Sequence, residues 1–158
     1  MADTALARVR FTLDSNILIY AFDREDAFRH RPAMEIVNRA VDADCWLTLQ
    51  ALSEFYAVTT RKRMLSLAEA AAQVEDWLVV FPCIAVSAAA VRRALADAVA
   101  GRASYWDALL VATAAESGCT VVLSEDMADG ASFGRISVHN PFAAAGGLTA
   151  RAQALLGL

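Results

Sequence analysis

At 158 residues the chain has room for one domain and not for a second, and it is long enough to bury most of the surface its unfolded form would expose. With 58% hydrophobic residues, 20% charged residues and three prolines, the composition excludes an intrinsically disordered chain. A net charge of −4 would ordinarily argue against a nucleic-acid partner, but setting aside four acids assigned below to one site leaves 14 acids against 14 Lys and Arg.

Nothing near the start reads as a secretory signal, because Asp3, Arg8 and Arg10 interrupt it and no apolar core follows. The longest apolar stretch, 105–115, contains Asp107 and is too short to span a bilayer, so a cytoplasmic protein without membrane contact is expected. Cys45, Cys83 and Cys119 each open a short apolar run and form no C-x-x-C or Cys/His cluster. They read as small buried hydrophobes with free thiols.

The first strand is expected over 10–14, with a short helix starting at Ser15. A second helix is expected over 30–41, Pro32 suiting its first turn. A second strand over 45–49 leads into a helix over 51–62, and Ser66 starts an amphipathic helix over 67–80. A brief third strand follows at 84–86, then a helix capped by Ser87 and stopped near residue 100 by Gly101. Ser104 caps the next helix, which runs to Ser117 and ends at Gly118. Over 105–115 it is apolar on nearly every face, with Asp107 the sole charge of that stretch, so it is expected in the interior against the sheet. A fourth strand at 120–123, a polar loop over 124–132 and a fifth strand at 135–138 complete the pattern. Short β-branched runs alternating with helices predict an α/β fold with a mostly parallel sheet of four or five strands over 1–142. The remainder, 143–158, is expected to be a frayed tail or one short helix without chemistry.

Four acids occupy positions that an ordinary fold would not choose. Asp14 ends the first strand in FTLDSN, and Asp126 follows the fourth strand in LSED. The carboxyl ends of strands in open parallel sheets are where ligands bind. Glu54 lies one turn into a helix among Ala51, Ala57 and Val58, and Asp107 sits in the first turn of the most apolar helix, in line with Leu110, Val111 and Ala114. Each has a plainer reading. Asp14 reads equally as an N-cap, Asp107 as the acid of a capping box with Ser104, Glu54 as a partner for Arg61 or Lys62, and Asp126 as a turn residue. Asp129 is read as a loop acid, with an additional ligand as the alternative. Two basic groups, Arg24, Arg29 and Arg31, and Arg61, Lys62 and Arg63, read either as solvated helix ends or as phosphate contacts.

The joint placement of the four acids carries the chemistry. Two carboxylates about 5 Å apart repel by roughly 3 kcal/mol at an effective dielectric near 20, so a converging group needs protons, basic partners or a divalent cation. No histidine or lysine falls in these motifs, and an all-oxygen site suits Mg²⁺ or Mn²⁺ over zinc or copper. Such a site activates a water for phosphodiester hydrolysis. Two other classes remain open: a Mg-dependent phosphohydrolase with an aspartyl nucleophile, although Asn16 stands where a second aspartate is wanted, and a non-catalytic module that binds RNA or protein.

Four segments, LDSNILIY at 13–20, QALSEFYAVTTRK at 50–62, SYWDALLVATAAESG at 104–118 and LSEDM at 123–127, resemble the PIN-domain family in order and spacing, and within it the VapC-type toxins. The resemblance covers about 11–142. It implies a three-layer α/β/α sandwich and a Mg²⁺- or Mn²⁺-dependent endoribonuclease acting as the toxin of a type II toxin–antitoxin system. It implies Asp14 and Asp107 as main metal ligands, and Glu54 and Asp126 as acids that complete the site or hold the attacking water, with Asp126 also near the metal. Ser15, Asn16 and Ser124 are implied to orient these carboxylates. The implied partners are an RNA substrate such as a transfer or ribosomal RNA, a second copy in a homodimer, and an antitoxin whose tail covers the acidic cleft, often with an arginine.

Overall fold

The computed structural model describes residues 8–158; the segment bearing Asp3, used above to argue against a secretory signal, lies outside the described residues. Strand β1 (Phe11–Leu13) is buried along its whole length and passes through Asp14 directly into helix α1 (Ser15–Tyr20). Helix α2 (His30–Ala40) follows, and Cys45 then bridges to Phe11 in parallel before strand β2 (Leu47–Thr48). Helix α3 (Leu49–Arg61) begins two residues earlier than expected because the Thr48 hydroxyl accepts the Ala51 N–H, which ends the strand and caps the helix at one residue.

Helix α4 (Leu67–Val80) opens with a capping box in which Ser66 and Glu69 satisfy each other's backbone amides. Strand β3 (Cys83–Ile84) lies slightly before its expected place. Ser87 caps helix α5 (Ala88–Val99), and Ser104 caps helix α6 (Tyr105–Glu116). Gly101 and Gly118, at φ 71° and 81°, end them in the left-handed conformation expected of glycine. Strand β4 (Val121–Leu123) precedes a long polar loop whose end forms a two-residue edge strand, β5 (Ser132–Phe133), that the sequence reading left in the loop. It pairs antiparallel with β6 (Ile136–His139).

The four-stranded sheet has the order β1-β4-β6-β5, and β2 and β3 form a parallel pair joined to β1 through the Phe11–Cys45 bridge. The β1–β4 ladder sets Leu13 level with Leu123, and the β4–β6 ladder sets Leu123 level with His139. The chain leaves β1 toward β2 on one side, whereas β4 continues to β6 on the other. The carboxyl ends of β1 and β4 therefore flank the point where the topology divides, the position at which open α/β sheets hold ligands.

Period-two alternation sorts the strand residues into two cores. Phe11, Leu13, Val121 and Leu123 pack with Ile17, Ile36, Phe55 and Trp77 of α1 to α4, while Val122, Ile136 and Val138 pack with Leu110, Val111 and Ala114 of α6. Helix α5 closes over α6 through Ala90, Ala94, Ala108 and Leu109. The result is the three-layer α/β/α sandwich, with residues 108–114 buried on every face as the apolar pattern predicts. Of the two outcomes allowed for 143–158, the short helix forms. Helix α7 (Ala150–Leu156), capped by Thr149, inserts Ala152 and Leu156 into the main core beside Phe142 and Leu148, so this segment is anchored and not frayed. The three cysteines are free, Cys45 and Cys119 buried and Cys83 half-buried.

No helix among the described residues is long and apolar enough to cross a membrane. The aromatic centre of the main core is Phe55, fully buried and edge-on to Phe22 at 5.3 Å and to Trp77 at 4.7 Å. Phe55→Ala removes the packing of both partners, and a loss of about 3–5 kcal/mol in the urea unfolding free energy is expected.

Candidate active site

Asp14 is the most buried acid of the predicted four, at 7% exposure. The register places it level with Ser124, and its own N–H donates to Leu123 O at 2.9 Å. One carboxylate oxygen accepts the Ser15 N–H at 2.7 Å, and the other accepts the Ser124 hydroxyl at 2.7 Å and Asn16 Nδ2 at 3.3 Å. The N-cap reading of Asp14 holds through one oxygen, while the other oxygen is bound by Ser124 and Asn16.

Asn16 reaches across to the loop after β4. Its Nδ2 donates to Asp126 Oδ1 at 2.8 Å, while its Oδ1 accepts the Glu125 N–H at 3.3 Å. Ser124 Oγ also lies 3.1 Å from Asp126 Oδ1, and with a single hydroxyl hydrogen it can serve only one of the two aspartates at a time. Asp126 itself is exposed. Asp129 lies apart from this network, accepting the Asn140 N–H at 2.9 Å beside His139, which fits the loop-acid reading.

Glu54 is half-buried on the first turns of α3, with Oε2 accepting the Ser15 hydroxyl at 2.7 Å and Oε1 accepting Gln50 Nε2 at 2.9 Å. Arg61 and Lys62, the plainer partners weighed for it, are not its partners. Asp107 is half-buried at the start of α6, where its N–H donates to Ser104 Oγ at 3.2 Å.

Electrostatics tie the four acids together. Burial above all, then the charges of Asp126 and Asp107, push the Asp14 carboxyl from 3.8 to about 7, against the lowering effect of its Ser124 and Ser15 hydrogen bonds. Burial, with the charges of Asp126 and Glu54, likewise raises Asp107. Even so, no group of three or more His, Cys, Asp or Glu among the described residues is close enough to form a ready cage for a metal ion. The two findings are compatible, because coulombic coupling extends over several ångströms whereas coordination needs contact near 2.1 Å. The donor set fits a hard divalent cation: it is oxygen throughout, and its central carboxylate is costly to ionise without a positive charge beside it.

Several contributors escaped the sequence reading. Gln50 links Glu54 to the carbonyl of Trp106, which its Nε2 reaches at 3.0 Å, so α3 and α6 are fastened together at the site. Its spacing of four residues from Glu54 on one helix was the available signal. Glu125 accepts Tyr20 Oη at 2.9 Å and Arg29 at 3.1 Å, and Arg29 also pairs with Asp26 at 3.0 Å. Arg29 therefore anchors the loop through two carboxylates and is not a free, solvated helix end. Arg24, Lys62 and Arg63 line a separate cavity of about 690 Å³ with Asp23, Glu25 and Glu69, bringing members of both basic groups to one cleft.

Comparison with known proteins agrees with this fold. The PIN domain profile matches residues 11–128, most of the chain. The chain belongs to the PIN-domain family. Its fold is shared with the crystal structure of Mycobacterium tuberculosis VapC20, a sarcin-ricin loop cleaving toxin, at 17% identity and a TM-score of 0.61, covering 73% of this chain and 89% of that one. It is shared equally with a toxin–antitoxin complex from Klebsiella pneumoniae, at 20% identity and a TM-score of 0.61, covering 83% and 97%. VapBC2 from Rickettsia felis, bound to a promoter DNA fragment, matches at 12% identity and a TM-score of 0.61, covering 84% and 98%. No curated protein matches by sequence. The PIN assignment also sets aside the aspartyl-nucleophile phosphohydrolase.

The raised pKa of Asp14 is open to direct measurement. In the metal-free protein its carboxyl carbon resonance is expected to titrate near pH 7, and Asp126→Asn is expected to move that midpoint down by removing a neighbouring negative charge. A midpoint that Asp126→Asn leaves unmoved would mean that the charge of Asp126 does not reach Asp14.

Proposed function

We propose that this PIN-domain protein is a metal-dependent endoribonuclease, the VapC-type toxin of a type II toxin–antitoxin pair acting in the cytoplasm. The observation that carries the reading is the hydrogen bonding and charge coupling that link Asp14 and Asp126, after β1 and β4, with Glu54 of α3 and Asp107 of α6. The likeness in fold to toxins and toxin–antitoxin complexes supports it.

In this reading Asp14, Asp107 and Asp126 hold Mg²⁺ or Mn²⁺. The ion, when bound, supplies a water of lowered pKa and positive charge for the leaving oxygen. The chain's own residues do the rest. Ser15 and Gln50 fix both oxygens of Glu54, which leaves that carboxylate aimed at the pocket to orient the attacking water and accept its proton. Asn16 and Ser124 hold Asp14 and Asp126 in register, so little reorganisation is needed when positive charge arrives. The substrate is RNA, with a structured transfer or ribosomal RNA as the target class, and the working form is a homodimer. An antitoxin tail bearing an arginine inhibits by placing its guanidinium among the same carboxylates, satisfying the charge that the cation otherwise balances.

Purified protein is expected to cleave RNA with Mg²⁺ or Mn²⁺ and to stop on addition of EDTA. Asp107→Asn preserves shape and removes one ligand charge, so cleavage should fall at least about 100-fold while the circular dichroism spectrum and melting curve stay near wild type. Undiminished cleavage in that variant would reduce Asp107 to a helix-start acid. RNA binding without cleavage under all metals would leave a binding module in place of a nuclease.

A further inference from the structure

Trp106 stands out beside the acidic site. It is 61% exposed at the start of α6, next in sequence to Asp107. Its carbonyl is held by Gln50 Nε2 at 3.0 Å, and the same nitrogen donates to Glu54 at 2.9 Å, so the Trp106 backbone is fastened two hydrogen bonds away from a site carboxylate. Tyr105 meets the indole edge-on at 5.1 Å and 66°, bracing it from one side. Exposing so large an aromatic surface at this place has no role in the core, whose nearest members begin at Ala108.

The local charge explains why an aromatic contact suits an RNA here. The site is built from carboxylates, and Arg29, which the hydrogen-bond network ties to it through Glu125, is already committed to Asp26 and Glu125. Attraction of phosphates by side-chain cations is therefore weak at this edge, whereas the face of an unpaired base stacks on an aromatic ring without regard to charge. We propose that Trp106 is a stacking platform for an unpaired nucleobase flanking the scissile phosphate. The proposal rests on the nuclease reading above and adds a subsite to it.

The test separates the two. Binding of a short fluorescein-labelled single-stranded RNA is measured by anisotropy in EDTA, where cleavage is off, and cleavage is measured separately in Mg²⁺. Trp106→Ala is expected to weaken binding about tenfold and to raise KM with little change in kcat, and Trp106→Phe to retain most of the affinity. Replacing bases one at a time by abasic sites should identify one nucleotide at which wild type and Trp106→Ala bind alike. Equal affinity of wild type and Trp106→Ala for the intact RNA, or a loss that no abasic position removes, overturns the platform even if the protein is a nuclease. A fall in oligomer mass on light scattering that accounts for the whole affinity loss overturns it too, and assigns Trp106 to contact with a second copy. Base-dependent loss in EDTA without any cleavage in metal defeats the nuclease reading and overturns the subsite as placed, since no scissile phosphate then exists for the base to flank.

Discussion

The structure depends on burying one carboxylate, that of Asp14, at the junction of β1 and α1. Two constraints meet there. The β1–β4 ladder holds Leu13 level with Leu123, so the residues that follow emerge from the sheet at the same height and the Ser124 hydroxyl lies 2.7 Å from the Asp14 carboxylate. The immediate start of α1 brings the Ser15 N–H to its other oxygen at 2.7 Å. These donors stabilise the ionised form, yet burial and the neighbouring Asp126 and Asp107 outweigh them and leave the carboxyl near 7. A group in that balance responds strongly to any positive charge brought beside it.

The remaining acids arrive from elements with their own reasons to be where they are. Asp107 is placed by a helix whose residues 108–114 are all buried, so its position is fixed by core packing and not by its own contacts. Glu54 is placed by α3, whose start is pinned by Thr48 and whose Phe55 anchors the aromatic centre of the core. Gln50 then locks α3 to α6 across the pocket. Rigid elements thus present flexible acids, and the mutual repulsion of the acids is absorbed by packing energy elsewhere in the domain.

The sequence made the helices legible because their punctuation is chemical and local: Ser66, Ser87 and Ser104 cap as read, and Gly101 and Gly118 stop the chain as read. The strands were less so. Thr48 was expected inside a strand and both ends β2 and caps α3, while Ser132 and Phe133 are too few to stand out as an edge strand. Among site residues the acids were visible because a charge in an apolar run is conspicuous. Gln50 was harder to see: its spacing of four residues hinted at the contact with Glu54, but its second partner, the Trp106 carbonyl, lies across the fold. Arg29 shows the same limit: its basicity was visible, but its two carboxylate partners lie on different segments, at Asp26 and Glu125.

Asn16 shows how finely the cluster is balanced. An aspartate there would be a fifth carboxylate within reach of Asp14 and Asp126, and each pair about 5 Å apart would add roughly 3 kcal/mol of repulsion at an effective dielectric near 20. An amide instead offers two hydrogens and one acceptor. Its Nδ2 donates toward both acids, and its Oδ1 takes the Glu125 N–H. The loop after β4 is thereby drawn toward β1 by a neutral side chain, aided from below by Tyr20 and Arg29 on Glu125. The same property that disqualifies Asn16 as the second aspartate of a phosphohydrolase lets it hydrogen-bond to Asp14 and Asp126 at once.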